Sequence, residues 1–368
     1  MASRPIVHLV AGARPNFMKI APVWHALSAA DWCEPRIVHT GQHSDINMSE
    51  WFFRDLRLPP PHHHLAAKTG SHATTTGTTM IAYETLCQNE RPAWSVVVGD
   101  VDSTIACAIT AKKLGISVAH LEAGLRSNDW AMPEEINRVL TDRIADLLWT
   151  PSRDGDENLA REGVPRDRVE LVGNVMIDSL VMAKPLIGAV DLDAVAGRPL
   201  PKQFAVVTLH RPSNVDTKER LQAVVALLRQ LAQRLPVVFP IHPRTRLRLE
   251  TFGLLGDLVD ERIIQLKPLG YIEFVALVHK ARMILTDSGG VQEESTYLGV
   301  PCLTLRENTE RPVTVTHGTN RLTRLEAAIA DADALLAAPS SAPPVIPLWD
   351  GKAAERVAAS LRKRIVGR

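Results

Sequence analysis

The chain opens with an apolar run, Ile6 to Val10, that stops at a Gly-Ala-Arg turn, and that phrase recurs along the sequence. Short apolar runs closed by Gly, Asp or Ser alternate with longer amphipathic stretches, the rhythm of a parallel sheet covered by helices. A first series of strands is predicted at Ile6 to Val10, Arg36 to Thr40, Ser95 to Val98, Ser117 to Leu121, Leu147 to Thr150 and Val169 to Val172. Between them, Ser103 to Leu114 reads as a helix stopped by Gly115. Glu134 to Leu147 reads as another, opened by Pro133 and two carboxylates that suit a helix N-terminus.

A Pro and Gly break, Gly197-Arg198-Pro199-Leu200-Pro201, precedes a second series. Strands are predicted at Phe204 to Leu209, Val237 to Ile241, Ile263 to Leu266, Met283 to Thr286 and Cys302 to Leu305, with helices at 216–234, 271–281 and 290–298. The fold class is therefore α/β, with two doubly wound Rossmann-like domains facing a cleft. The first domain covers 1–175 and the second 176–350. The C-terminal helix within 351–368 has no strand after it, and one place for it is the surface of the first domain. Such sheets bind ligands at the carboxyl ends of their strands.

Composition narrows the possible partners. Lys and Arg total 42 against 41 Asp and Glu, a net charge of +1, so no overall field draws the chain to nucleic acid or anionic lipid. No window approaches the eighteen or so uninterrupted apolar residues of a membrane span, and the N-terminal apolar run leads into a strand-like turn, not a cleavage site. Cys33, Cys87, Cys107 and Cys302 are spaced too irregularly for a metal clip or disulfide framework, so a reduced, cytoplasmic setting is expected. The run His62-His63-His64 after three prolines is a loop composition; metal binding there is the alternative reading.

Candidate chemistry gathers at the predicted strand ends. Ser288-Gly289-Gly290 separates a strand from a helix, where exposed backbone N–H groups would face a diphosphate, and Glu294 lies one turn on, placed to accept bonds from a ribose. The stretch matches neither GxxxxGK[ST] nor GxGxxG, so ATP hydrolysis and nicotinamide chemistry lack their usual equipment. His210-Arg211, His242 and Arg311 add basic groups to the same rim, and arginine pairs bidentately with phosphate. The first domain instead brings carboxylates, Asp100, Glu122 and Glu134, with Arg14 and Lys19 after its first strand. Acids opposite a diphosphate seat suggest proton transfer on a substrate whose leaving group is held by the basic rim. Plainer readings exist for some: Ser-Gly-Gly as a tight turn alone, Glu135 and Arg138 as a helical i,i+3 pair, Asp102 or Ser103 as a cap.

Taken in order, GARPNFMKIAPV (12–23), TGQH (40–43), VGDVDST (98–104), HLEAGLRS (120–127), PEEINRVLTD (133–142), GNVMIDSL (173–180), LHRPSN (209–214), TDSGGVQEES (286–295) and ERP (310–312) resemble the non-hydrolysing UDP-N-acetylglucosamine 2-epimerases over nearly the whole chain. The resemblance implies the glycosyltransferase-B fold. It makes Asp100, Glu122 and Glu134 the catalytic carboxylates and His210 the active-site histidine, with Arg14, Lys19, Arg138, Arg211 and His242 as substrate contacts. Ser288, Gly289, Gly290 and Glu294 would hold diphosphate and ribose, Arg311 the phosphates, and Phe274 the uracil side. It also implies a homodimer that supplies precursors for surface polysaccharide, and a mechanism of UDP elimination and re-addition through a 2-acetamidoglucal that needs no cofactor and no metal. Asn16 stands where many members carry Glu, Pro212-Ser213 replaces an Arg-Glu pair, and Val313-Thr314 replaces Glu-Ala. These departures leave UDP-2,3-diacetamido-2,3-dideoxyglucuronic acid and a hydrolysing reaction as alternatives, and the two-domain cleft with its diphosphate seat leaves a retaining glycosyltransferase as another. Around Gln42 and His43, which belong to the second substrate site of some members, Ser44-Asp45-Ile46-Asn47 differs from the usual run.

Overall fold

A computed structural model describes residues 4–41, 53–338 and 342–367, with the side chain of Arg14 excepted. The chain divides into two compact units, Met1–Ala183 with Pro347–Arg368, and Lys184–Ile346. Each is built on one parallel sheet.

The first sheet has seven strands: β1 (Ile6–Ala11), β2 (Glu34–His39), β3 (His63–His64), β4 (Trp94–Val98), β5 (Ser117–Leu121), β6 (Leu147–Thr150) and β7 (Val169–Leu171). Their order is β3-β2-β1-β4-β5-β6-β7, all pairs parallel. The middle strands are apolar along their length because helices cover both faces; every residue of β4 and β6 is buried. β3 was not expected: its two histidines sit in what read as a loop, yet they pair with Val38 and His39. The helix expected to reach Leu147 runs Pro133–Ile144, since Ala145 turns extended (ψ 145°) and Leu147 begins β6. The C-terminal helix Ala353–Ile365 packs on helix Arg14–Ser28, and Trp149 donates to Ser360 at 2.9 Å.

The second sheet has six strands: β8 (Ala205–Thr208), β9 (Val237–Pro240), β10 (Ile263–Leu266), β11 (Met283–Thr286), β12 (Cys302–Leu305) and β13 (Asn320–Thr323), in the order β10-β9-β8-β11-β12-β13. Helix Lys218–Ala232 shows how sequence makes these elements. Thr217 caps its start by accepting from the Arg220 amide, and Leu221, Val224, Val225, Leu228 and Leu231 form one stripe buried on the sheet. Each such buried aliphatic contributes about 1.5–3 kcal/mol. In both sheets the strand order reverses once, between β1 and β4 and between β8 and β11, and there the loops leaving neighbouring strands diverge and open a crevice.

Candidate active site

In the first unit, strands β1, β4 and β5 lie side by side, so the residues following them meet. Gly99, after β4, is left-handed (φ 66°); a Cβ there would lie 3.2 Å from Lys19 Nζ and 3.4 Å from Glu122 Oε2. The glycine thus lets backbone approach a buried ion pair between Lys19 and Glu122. Glu122 itself holds a left-handed backbone (φ 73°), an unfavourable conformation for a non-glycine residue that only a tightly determined surround maintains. The surround is visible: the amides of Glu122 and Ala123 both donate to the Trp149 carbonyl, at 3.1 and 3.0 Å. Asn16 explains itself beside them. Its Oδ1 accepts from the Gly12 and Ala13 amides at 3.1 and 2.8 Å, and its Nδ2 donates to the Val98 carbonyl at 3.3 Å. A glutamate could make the first two bonds but not the third.

Asp100 pairs with Arg138, whose other amino group meets Glu135 at 2.5 Å. The i,i+3 pairing of Glu135 with Arg138 expected from the sequence is present. Glu135 is also buried, and accepts from the Ser127 amide and hydroxyl at 3.0 Å each and from the Asn128 amide at 2.9 Å. It is a positioning residue: it anchors Arg138 toward Asp100. Glu134, in contrast, is exposed at the start of its helix, and among the described residues no hydrogen bond or ion pair joins it to this group. Asp102 does not cap its helix; it accepts from Asn137 Nδ2 at 3.2 Å and meets His72 Nδ1 at 2.9 Å. Arg14 opens the first helix with its side chain outside the described residues, as Gln42, His43 and Ser44 to Asn47 are altogether.

Beneath these groups lies a network that was not anticipated. His120 meets the Gly99 carbonyl at 2.8 Å and Asp142 Oδ1 at 2.6 Å. Each ring nitrogen therefore faces an oxygen acceptor. Asp142 Oδ2 accepts from the Gly124 amide at 3.0 Å and from Arg126 at 2.8 Å. Burial opposes its ionisation, but His120 and Arg126 together hold its pKa below the usual carboxylate range. This buried carboxylate ties the Gly99–Asp100 strand end to the Glu122–Gly124 turn.

In the second unit, β9, β8, β11 and β12 are neighbours, and their ends deliver His242, His210-Arg211, Asp287 to Gly290, and Arg306 to Arg311. Asp287 is fully buried and accepts from the amides of His210 and Arg211 at 3.0 and 2.9 Å and from Asn214 Nδ2 at 3.0 Å; its Oδ1 lies 3.0 Å from His210 Nδ1. Burial raises its pKa, yet those donors hold it below the ordinary value. It therefore orients the His210 ring, which stands 5.1 Å from the ring of His242. His242 also caps the helix Pro243–Thr251. Arg211 Nε donates to the Asp287 carbonyl at 3.1 Å.

Ser288 is the cap position of helix Gly289–Leu298, so Gly289 and Gly290 open that helix and present its free amides. Arg311 lies over that turn, with Nε 3.1 Å from Glu293 Oε1. Glu294 is buried and its pKa is pushed up to about 8 by burial and by Glu293, which leaves a carboxyl able to donate as well as accept near neutral pH. Tyr271 is its hydrogen-bond partner. Phe274, on the helix Tyr271–Lys280, packs half-buried on the domain core and has no polar contact of its own. Asp287, Asp142 and His120 were given no role by the sequence reading, and Glu135 only its pairing with Arg138, because nothing in a single sequence shows which charges are buried.

The cluster His8, His63 and Glu90 has metal-ligand chemistry. Its nitrogens already meet Glu90 Oε2 directly at 2.6 and 3.0 Å, and Arg36 pairs with the other oxygen. Ligands sharing an ion at about 2.0–2.2 Å stand further apart than that.

The family described as UDP-N-acetylglucosamine 2-epimerase matches residues 25–362. A UDP-N-acetylglucosamine 2-epimerase of Methanocaldococcus jannaschii is 41% identical over 329 residues, 85% of this chain and 87% of that protein. A UDP-2,3-diacetamido-2,3-dideoxy-D-glucuronate 2-epimerase of Pseudomonas aeruginosa is 41% identical over 317 residues, 85% of this chain and 86% of its own. The crystal structure of the M. jannaschii enzyme in complex with UDP-GlcNAc and UDP superposes with a TM-score of 0.90 at 39% identity, covering 97% of this chain and 99% of that one. The fold is that of two Rossmann-like domains of the glycosyltransferase-B type, and the chain belongs to the UDP-N-acetylglucosamine 2-epimerase family.

Proposed function

We propose that this protein inverts C2 of UDP-N-acetylglucosamine to give UDP-N-acetylmannosamine. The C2 proton is not adjacent to a carbonyl, so direct removal would leave an unstabilised carbanion. If UDP leaves C1 first or in concert, positive charge develops at the anomeric carbon and the C2 proton becomes acidic. A carboxylate then takes it, giving a 2-acetamidoglucal and UDP; re-addition of UDP to C1 and of a proton to the opposite face of C2 gives the epimer. The reaction balances without an external oxidant or reductant.

One observation carries the reading: Glu122 is buried against Lys19 in a strained backbone at the point where the first sheet reverses order, a site that places a base and its counter-charge at a binding edge. Asp100 and Glu134 share the remaining acid and base work, with Arg138 and Glu135 holding Asp100. In the second unit, Arg211, His210, His242, Arg311 and the Ser288–Gly290 turn hold the diphosphate, with Glu294 on the ribose and Phe274 on the uracil side. Each well-placed cation or donor would stabilise the departing diphosphate by about 2–4 kcal/mol. Arg14 and Lys19 contact the substrate from the first unit.

The equal identity to the diacetamidoglucuronate enzyme favours one second reading, with the same chemistry on that sugar. Supplying each UDP-sugar alone decides: turnover of UDP-N-acetylglucosamine without an acceptor supports the first reading and sets aside a transferase, and turnover of only the uronic acid supports the second. We further propose a homodimer acting in the cytoplasm on the way to surface polysaccharide. All four cysteines are buried and unpaired, and no helix among the described residues is long and apolar enough to cross a membrane. Light scattering should return twice the 40.4 kDa chain mass; a single-chain mass would contradict it.

A further inference from the structure

The diphosphate seat already contains an anion. Glu310, buried in the loop after β12, places Oε1 2.5 Å from Arg311 Nη1 and 3.8 Å from Arg211 Nη2, and Oε2 2.8 Å from Arg306 Nη2. It lies directly on the glycine turn: a Cβ at Gly289 would fall 2.8 Å from Glu310 Oε1 and 2.6 Å from Arg311 Nη1. Three guanidiniums and the positive end of the helix Gly289–Leu298 therefore converge on one carboxylate, the geometry that a bound phosphate oxygen would otherwise satisfy. Glu293, on Arg311 Nε, is the second acid at the cluster. Without Glu310, these close guanidiniums, two of them nearly buried, would repel one another and turn toward solvent whenever the seat is empty.

We infer that Glu310 is an intramolecular stand-in for the diphosphate. It keeps Arg211 and Arg311 assembled over the glycine turn when no nucleotide is bound, and it competes with the incoming phosphates for them, so that nucleotide binding is an exchange of anions. The inference rests on the UDP seat proposed above. Glu310 acts through the arginines and is a positioning residue. Its competition loosens UDP and UDP-sugar alike, which lets product depart from a seat that Arg211 and Arg311 would otherwise hold too tightly.

Calorimetry with UDP tests this in E310Q, where the side chain keeps its shape and an acceptor oxygen for the arginines but loses the charge that competes with phosphate. The exchange predicts UDP binding tighter by about five- to tenfold, with KM for the UDP-sugar falling in parallel. Weaker or unchanged binding in an E310Q protein with wild-type unfolding temperature would overturn it, because a residue that merely braced Arg311 would lose affinity when removed. If E310Q does not fold, crystals of the wild-type protein with and without UDP decide. The guanidiniums of Arg211 and Arg311 should pass from Glu310 to phosphate oxygens, and retention of every Glu310 contact with UDP bound would contradict the exchange. A wild-type protein that binds no UDP would instead remove the seat itself, and this inference with it.

Discussion

Replacing Glu122 by glutamine is expected to lower turnover by about two to four orders of magnitude while leaving UDP affinity near that of the wild type. The argument is local. Glutamine fits the same volume, and its carbonyl oxygen can still accept from Lys19, so the pairing at the end of β1 persists as a hydrogen bond. The amide cannot take a proton from carbon. The UDP contacts proposed above are Arg211, Arg311 and the glycine turn of the second unit, and Glu122 is not one of them. A kcat within a few-fold of wild type would remove Glu122 from the mechanism; loss of UDP binding would show that the variant had damaged more than a base.

The second large effect is on stability. Asp142→Asn should destabilise the first unit by about 3–5 kcal/mol, because it takes the charge from a buried carboxylate that pairs with Arg126 and binds His120 and the Gly124 amide. One carboxylate oxygen faces His120 and the other faces the Gly124 amide and Arg126, so in either orientation the neutral amide loses the charge that pairs with Arg126. Arg126 retains Glu162 at 2.7 Å, but His120 has no second anion among the described residues. Domains are stable by only about 5–15 kcal/mol, so this is a large share. The pH dependence has a definite sign. A carboxylate whose folded pKa is depressed contributes stability above its unfolded value, near 3.8, and loses it as pH falls through the folded one. Denaturant unfolding should therefore show wild type and Asp142→Asn converging below about pH 4 and separated at pH 7. Equal stability of the two at pH 7 would refute the network's role.

Much of the fold was legible because parallel strands buried on both faces are continuous apolar runs, and some of the helices between them carry a cap or a stop, as Thr217 and Gly299 do. The two strands that escaped notice are edge strands with little apolar content. β3 consists of His63 and His64, and β13 reads Asn-Arg-Leu-Thr; their backbones pair because a neighbour offers a free edge, which no local pattern announces. The site divides similarly. Motif order singled out Asp100, Glu122, His210 and the glycine turn, residues whose chemistry can be guessed from type and spacing. It did not single out Glu135, Asp142 or Asp287. On a single sequence a carboxylate on a helix or after a strand looks solvated, and only the packing of Ser127, Gly124 or Asn214 around it makes it the acceptor of several buried donors. Glu134 shows the reverse: its motif position is prominent, but it is exposed.

Proton NMR of UDP-N-acetylglucosamine with this protein in heavy water tests the central claim, that a carboxylate strips hydrogen from C2 while UDP is detached. The account predicts solvent deuterium at C2 of both epimers with the UDP linkage restored in the product. Epimer formed with its original C2 hydrogen retained would contradict it.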